Sequence, residues 1–319
     1  MAEPKMRNIS FPRYAEYNCA FKYIVEQALG ARYVMPPALT KRTMELGTKY
    51  SPDSVCTPFK TVLGSMIESL EAGADTLLMT HGLCRLGYYG ELLEQILRDL
   101  GYQFDFINLS DYDMDKKKEY IRIVRRINPK VNPARFLAQF MEGLRMVEYL
   151  DEIAAEYYRN CGFDATKGSY KRAYQDFLTA MYTAQGRNDV ETGYREAKRA
   201  LQAIPLDKPA RPLRVGVVGE FYTAMDAFSN LELEQKLADM RVEIHRWMNV
   251  TNQFLHYGGQ KNMRVKIKDL SAYDMGPTST ANIWYARECA ERGFDGLVHI
   301  KSAACTPEID VMPVLQNIS

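Results

Sequence analysis

Cysteine opens the widest chemistry in this chain, because a thiolate is both a nucleophile and a soft metal ligand. Six are present, at positions 19, 56, 84, 161, 289 and 305. Two of them share a tripeptide, Cys56-Thr-Pro58 and Cys305-Thr-Pro307. Proline is tolerated in a first helical turn, and Glu308 and Asp310 suit a first turn as well. Both cysteines are therefore expected at helix starts, where unpaired amides and the helix dipole favour a thiolate or an anionic ligand. Cys84 lies in Gly82-Leu-Cys-Arg-Leu-Gly87, a loop after a strand-like run, where open α/β sheets place ligands. Three thiolates gathered by the fold can hold zinc, copper or an iron–sulfur cluster and leave one metal position open. The spacings of 28 and 221 residues match no short metal-binding motif. The competing reading is three small buried side chains.

The remaining cysteines rank lower. Cys289 falls within a helical stretch, 281–290, and reads as core packing. Cys161 sits near a helix end without companion ligands, and Cys19 begins a helix near the ligand-binding edge of the first sheet. Around the leading three, Arg85 and Lys60 can donate charge-assisted hydrogen bonds to sulfide, carboxylate or phosphate, or else form salt bridges between domains. Glu220, in Gly219-Glu-Phe-Tyr-Thr223 after a strand, is either a site carboxylate or a helix cap. His81 and His299 occupy matching strand-end positions. Each is a candidate proton shuttle or cluster neighbour, or else a satisfied buried imidazole.

These residues need elements to hold them, and the pattern is an alternation of strands and helices. A helix is expected over 17–29, ending at Gly30, then a strand at 31–34 closed by two prolines. A helix over 57–70 follows, then a strand over 75–80, a helix over 88–100 and a strand over 103–108. From 112 to 204 the chain reads as long helices, notably 133–159 and 170–177. Prolines 205, 209 and 212 lead into strands at 213–218, 242–244 and 296–300, with helices at 231–240 and 281–292. The expected fold is α/β, two parallel-sheet domains (1–111 and 209–319) separated by a helical insert or bridge (112–208). The second sheet reads as about three strands with the last helix barely begun at Ser319, so the C-terminal domain reads as truncated, and whether the native chain extends beyond Ser319 stays open.

A length of 319 residues suits about two domains at roughly 150 residues each. Forty-one basic against 40 acidic residues give a net charge of +1, which excludes a polybasic nucleic-acid binder. Hydrophobic content of 46% is too high for a disordered chain. No apolar run reaches the roughly 18 residues needed to cross a bilayer, and the first residues carry no signal-peptide core, so a cytoplasmic location without membrane contact is expected. Gly216-Val-Val-Gly219 lacks the G-x-G-x-x-G pattern, and no phosphate-loop, nucleophile-elbow or H-E-x-x-H motif occurs.

Taken together, Cys56-Thr-Pro-Phe-Lys60, Gly64, Gly82-Leu-Cys-Arg-Leu-Gly-Tyr-Tyr-Gly-Glu91, Gly219-Glu-Phe-Tyr-Thr223 and His299-Ile-Lys-Ser-Ala-Ala-Cys-Thr-Pro-Glu308 resemble the acyl-CoA dehydratase activase-related proteins. These are akin to the D-component or beta-subunit side of 2-hydroxyacyl-CoA dehydratases and to benzoyl-CoA reductase subunits. The resemblance covers nearly the whole chain. It implies two Rossmann-like domains around a [4Fe-4S] cluster held in the interdomain cleft by Cys56, Cys84 and Cys305. It also implies an ATP-dependent activator iron–sulfur protein as electron source, an acyl-CoA substrate and a dimer with a related subunit. In the related dehydratases the injected electron forms a ketyl radical so that water can leave; larger relatives carry double-cubane clusters and reduce small molecules.

The leading expectation is thus an oxygen-sensitive iron–sulfur protein in low-potential electron transfer or radical-type reduction. Two alternatives stay open: a non-catalytic scaffold that donates electrons or a cluster, and a metal-free α/β binding module with core cysteines.

Overall fold

The computed structural model describes residues 6–79, 88–109, 117–255, 258–273 and 275–318. Within them, β1 (Asn8–Ser10), β2 (Arg32–Tyr33), β3 (Thr76–Met79) and β4 (Asp105–Asn108) form a parallel sheet in the order β2-β1-β3-β4. A second parallel sheet, in the order β6-β5-β7, comprises β5 (Arg214–Gly219), β6 (Glu243–Arg246) and β7 (Gly296–Ile300). The alternation of strands and helices expected from the sequence is therefore present, and the sheets are parallel. All four residues of β3 are buried, Thr76 and the apolar Leu77, Leu78 and Met79, as suits an inner strand of a parallel sheet.

The chain divides into two compact units. One is Met1–Met146 with Tyr182–Asp189; the other is Val147–Met181 with Val190–Ser319. The long helices of the middle segment, α5 (Lys117–Ile127), α6 (Pro133–Asn160), α7 (Ser169–Thr183) and α8 (Arg187–Ala203), are shared out between these units.

In the first unit, α1 (Asn18–Tyr23) continues as a π-helical turn over Ile24–Ala28 and stops before Gly30, whose φ of +66° suits a glycine. A helix not foreseen from the sequence, α2 (Lys41–Tyr50), packs against α3 (Thr57–Glu71). Their backbones approach closely through two glycines. A Cβ on Gly64 would lie 1.9 Å from the Thr43 carbonyl oxygen, and one on Gly47 would lie 1.7 Å from that of Lys60. Glu68 of α3 is buried, with Thr43 Oγ1 donating at 2.7 Å and Arg42 at 3.0 Å. After β3, α4 (Tyr89–Asp99) leads to β4. Ile9, Val25, Leu29, Leu78 and Ile107 form the heart of this unit's core, each contributing about 1.5–3 kcal/mol of transfer free energy.

In the second unit, α9 (Phe221–Met225) and α10 (Leu233–Asp239) separate β5 from β6. A π-helical turn at Thr251–Leu255, α11 (Gly258–Lys266) and α12 (Pro277–Glu291) precede β7, and α13 (Thr306–Ile318) follows it. The last helix, expected to be barely begun, is a formed element of 13 residues. Val311 and Leu315 seat it against Ile267, Ile283 and Ala286. Among the described residues, no helix is long and apolar enough to cross a membrane.

In each sheet the first strand in the chain lies between the second and the third. Strand order therefore reverses at β1/β3 and at β5/β7. Open α/β sheets bind ligands outside the carboxyl ends of strands at such reversals.

Candidate functional site

Cys56 is the N-cap of α3. Its backbone is extended (φ −67°, ψ 158°), and its carbonyl accepts the Lys60 N–H at 3.3 Å. Cys305 immediately precedes α13, and its carbonyl accepts the Ile309 N–H at 3.1 Å. The residue before it, Ala304, has φ +60°, a left-handed conformation uncommon for a side chain with a Cβ. Both cysteines thus begin helices, as their shared tripeptide predicts, and both are half-buried.

The shared tripeptide does not mark equivalent places in the two sheets. Cys56 begins the helix before the third strand of its sheet, whereas Cys305 begins the helix after the third strand of its own. In chain order the counterpart of Cys305 is the segment between β3 and α4, which contains Cys84. Cys84, His81 and Arg85 lie outside the described residues.

The other cysteines differ in environment. Burial pushes the thiols of Cys19 and Cys161 up to about 12 and that of Cys289 up to about 11. They are held as thiols at neutral pH, which suits packing rather than ligation. A Cβ on Gly216 would lie 2.4 Å from Cys289 Sγ, so this thiol fills the space beside β5 that the glycine leaves, in line with a core role. Cys56 Sγ instead meets the Tyr89 hydroxyl, brought there by the first residue of α4. The Tyr89 ring stands edge-on to Phe59 at 5.1 Å, which fixes its direction. Tyr89 carries no sequence signal that singles it out from the neighbouring tyrosines.

Lys60 donates to the Asp53 carbonyl at 3.4 Å, on the first turn of the helix that Cys56 caps. Glu220 is a helix cap: its carboxylate accepts from Tyr222 N at 3.1 Å, Thr223 N at 2.7 Å and Thr223 Oγ1 at 2.6 Å. Burial is the main cause that pushes its carboxyl above the usual range, and the charge of Glu308 adds to the rise.

His299, the penultimate residue of β7, sits at the end of a buried polar chain. Its Nε2 lies 2.6 Å from Glu308 Oε2, and Glu308, on the first turn of α13, is fully buried. Asn282 of α12 donates from Nδ2 to both Glu308 oxygens, at 3.1 and 3.0 Å. Asn282 Oδ1 in turn accepts the Gly219 N–H at 2.9 Å, where β5 ends. Withdrawing a carboxylate from water costs several kcal/mol, and these three hydrogen bonds offset that cost. Glu308 reads in the sequence only as a first-turn acid, and Asn282 as one polar residue in a packed helix. Their meeting depends on the β5/β7 pairing.

Among the described residues, no group of three or more His, Cys, Asp or Glu side chains is arranged to hold a metal ion. The donor chemistry of Cys56 and Cys305 nonetheless suits a soft metal or a cluster: each is at a helix start and neither is deeply buried. No family model matches the chain, and no curated protein gives a significant match.

Proposed function

We propose that this chain is an oxygen-sensitive iron–sulfur protein in which Cys56, Cys84 and Cys305 ligate a [4Fe-4S] cluster used in low-potential electron transfer. One observation carries the reading. Of the five described cysteines, Cys19 and Cys289 are buried; of the three partly buried ones, Cys56 and Cys305, the two in Cys-Thr-Pro tripeptides, stand at helix starts, while Cys161 follows a helix end. When bound, the cluster supplies one-electron chemistry, and the protein tunes it through burial and hydrogen bonds to sulfur.

The chain's own residues would act around it. Cys56 and Cys305 would supply thiolate ligands from the starts of α3 and α13. The Tyr89 hydroxyl orients the Cys56 sulfur by hydrogen bonding. Rossmann-like domains, an ATP-dependent activator as electron source, an acyl-CoA thioester as substrate, a related subunit as partner and a cytoplasmic setting belong to the same proposal.

The test is iron and acid-labile sulfide content after anaerobic purification and reconstitution, with electron paramagnetic resonance after dithionite reduction. About four irons per chain are expected, with loss of cluster in each of Cys56→Ala, Cys84→Ala and Cys305→Ala. A wild-type protein that retains no iron would overturn the reading and leave a metal-free α/β binding module.

A further inference from the structure

The hydrogen bonds of the second unit assign donors and acceptors in sequence, starting from a group that admits no choice. The Gly219 N–H is a donor, so the Asn282 atom 2.9 Å away is the amide oxygen. The Asn282 NH₂ therefore faces Glu308 and donates to both of its oxygens. Glu308 is an acceptor at that contact, and as a carboxylate it accepts again from His299 Nε2 at 2.6 Å. The neutral imidazole consequently carries its proton on Nε2, and Nδ1 presents a lone pair. Nδ1 has no hydrogen-bond partner among the described residues, and the His299 side chain is 17% exposed.

We infer that His299 Nδ1 is a general base at the carboxyl ends of β5 and β7, oriented by Glu308 and Asn282, and that it takes the proton of a neutral hydroxyl-bearing ligand. A base held by a hydrogen-bonded carboxylate is the recurring arrangement by which proteins activate an O–H group. The location is the strand-order reversal of this sheet, where ligands of open α/β sheets bind. Ser302, three residues beyond His299, adds a buried hydroxyl with no partner among the described residues, a group that a ligand hydroxyl would satisfy. The charge of Glu308 is felt at Glu220, so this end of the sheet is rich in carboxyl groups and suits a ligand that is neutral on arrival. In the step itself the ligand O–H bond breaks, an N–H bond forms on Nδ1, and the electron pair stays on the ligand oxygen. The imidazolium so formed is stabilised by Glu308 through Nε2–H.

The inference concerns the second unit alone and does not depend on a bound cluster. Its test is nitrogen-15 NMR of histidine-labelled full-length protein, combined with diethyl pyrocarbonate modification mapped by mass spectrometry. In the wild type, neutral His299 is expected as the Nε2–H tautomer, with carbethoxylation on Nδ1. In Glu308→Gln the side-chain amide offers a donor to Nε2, so the proton moves to Nδ1. The modification rate should then fall about tenfold, the factor for losing a hydrogen bond to a charged group, while His245 reacts unchanged. Glycolamide, a neutral hydroxyl probe, should protect His299 at least about threefold better than glycolate, its anionic analogue. An Nδ1–H tautomer in the wild type, a His299 that resists modification, or a rate unaffected by Glu308→Gln would overturn the base assignment. Absence of preferential protection by glycolamide would overturn the ligand assignment. The wild-type tautomer is read without any variant, so a misfolded Glu308→Gln protein still leaves the base assignment decided.

Discussion

Asn282 ties the end of β5 to the start of α13: one side of its amide accepts the Gly219 N–H at 2.9 Å, and the other donates to both oxygens of the buried Glu308. A single side chain thus satisfies a strand-end donor and a carboxylate that has no exposure to water.

Replacing it exposes the dependence. Asn282→Ala leaves the Glu308 carboxylate short of two donors and the Gly219 N–H without its acceptor, so we expect a loss of about 2–4 kcal/mol. Urea unfolding should show a lower midpoint with the same slope. A loss below about 1 kcal/mol would mean that water takes over the role of the amide.

Glycines test close approach. A Cβ on Gly219 would lie 2.1 Å from the Ile300 carbonyl oxygen, at a φ of +143°, and one on Gly64 would meet the Thr43 carbonyl oxygen at 1.9 Å. Both obstructions are backbone and cannot swing aside. Gly219→Ala and Gly64→Ala should each cost roughly 3 kcal/mol or more. Gly186→Ala, where nothing lies within 4 Å, should change stability by no more than about 1 kcal/mol. Thermal melts of the three variants side by side provide the comparison.

Asp105 sets an acid limit for the first unit. Burial works to raise its carboxyl, but hydrogen bonds from Arg7 and Arg126 outweigh that effect and hold it below the ordinary range. A carboxyl depressed in the folded state stabilises above its unfolded value of about 3.9, and the contribution fades as pH falls through the folded value. Asp105→Asn should therefore cost about 1 kcal/mol at pH 7, a figure already reduced for solvent screening. The difference from wild type should shrink steadily below about pH 4. A pH-independent difference would assign the effect to packing.

Thiol labelling separates the cysteines. Burial lifts Cys19 and Cys161 to about 12 and Cys289 to about 11, so their thiolate fractions at pH 8 are at least about a hundredfold below that of an ordinary cysteine. Iodoacetamide treatment of metal-free protein, followed by peptide mapping, should modify Cys56 and Cys305 well before these three. Equal rates would show that the helix starts give those two no advantage.

The strand and helix order was legible in the sequence wherever local pattern is strong. β3, β5 and β7 are dominated by apolar residues, and α3, α4 and α6 carry helical periodicity over more than ten residues. The Cys-Thr-Pro tripeptides located two helix starts because proline and cysteine have local, directional consequences there. β1 carries no such pattern although it is an inner strand of the first sheet. Its three residues, Asn8–Ser10, are too few to carry a period, and pairing with β2 and β3 defines them as a strand.

The candidate sites divide in the same way. Residue type and local spacing were enough to nominate Cys56, Cys305, Glu220 and His299, and to leave Glu220 open between site and cap. The cap follows from three hydrogen bonds within three residues of chain. The His299–Glu308–Asn282–Gly219 chain spans 90 residues of sequence and has no local signature. It exists because β5 pairs with β7 while α12 and α13 pack together, and hydrogen-bond direction is set by atoms that only tertiary packing brings within 3 Å.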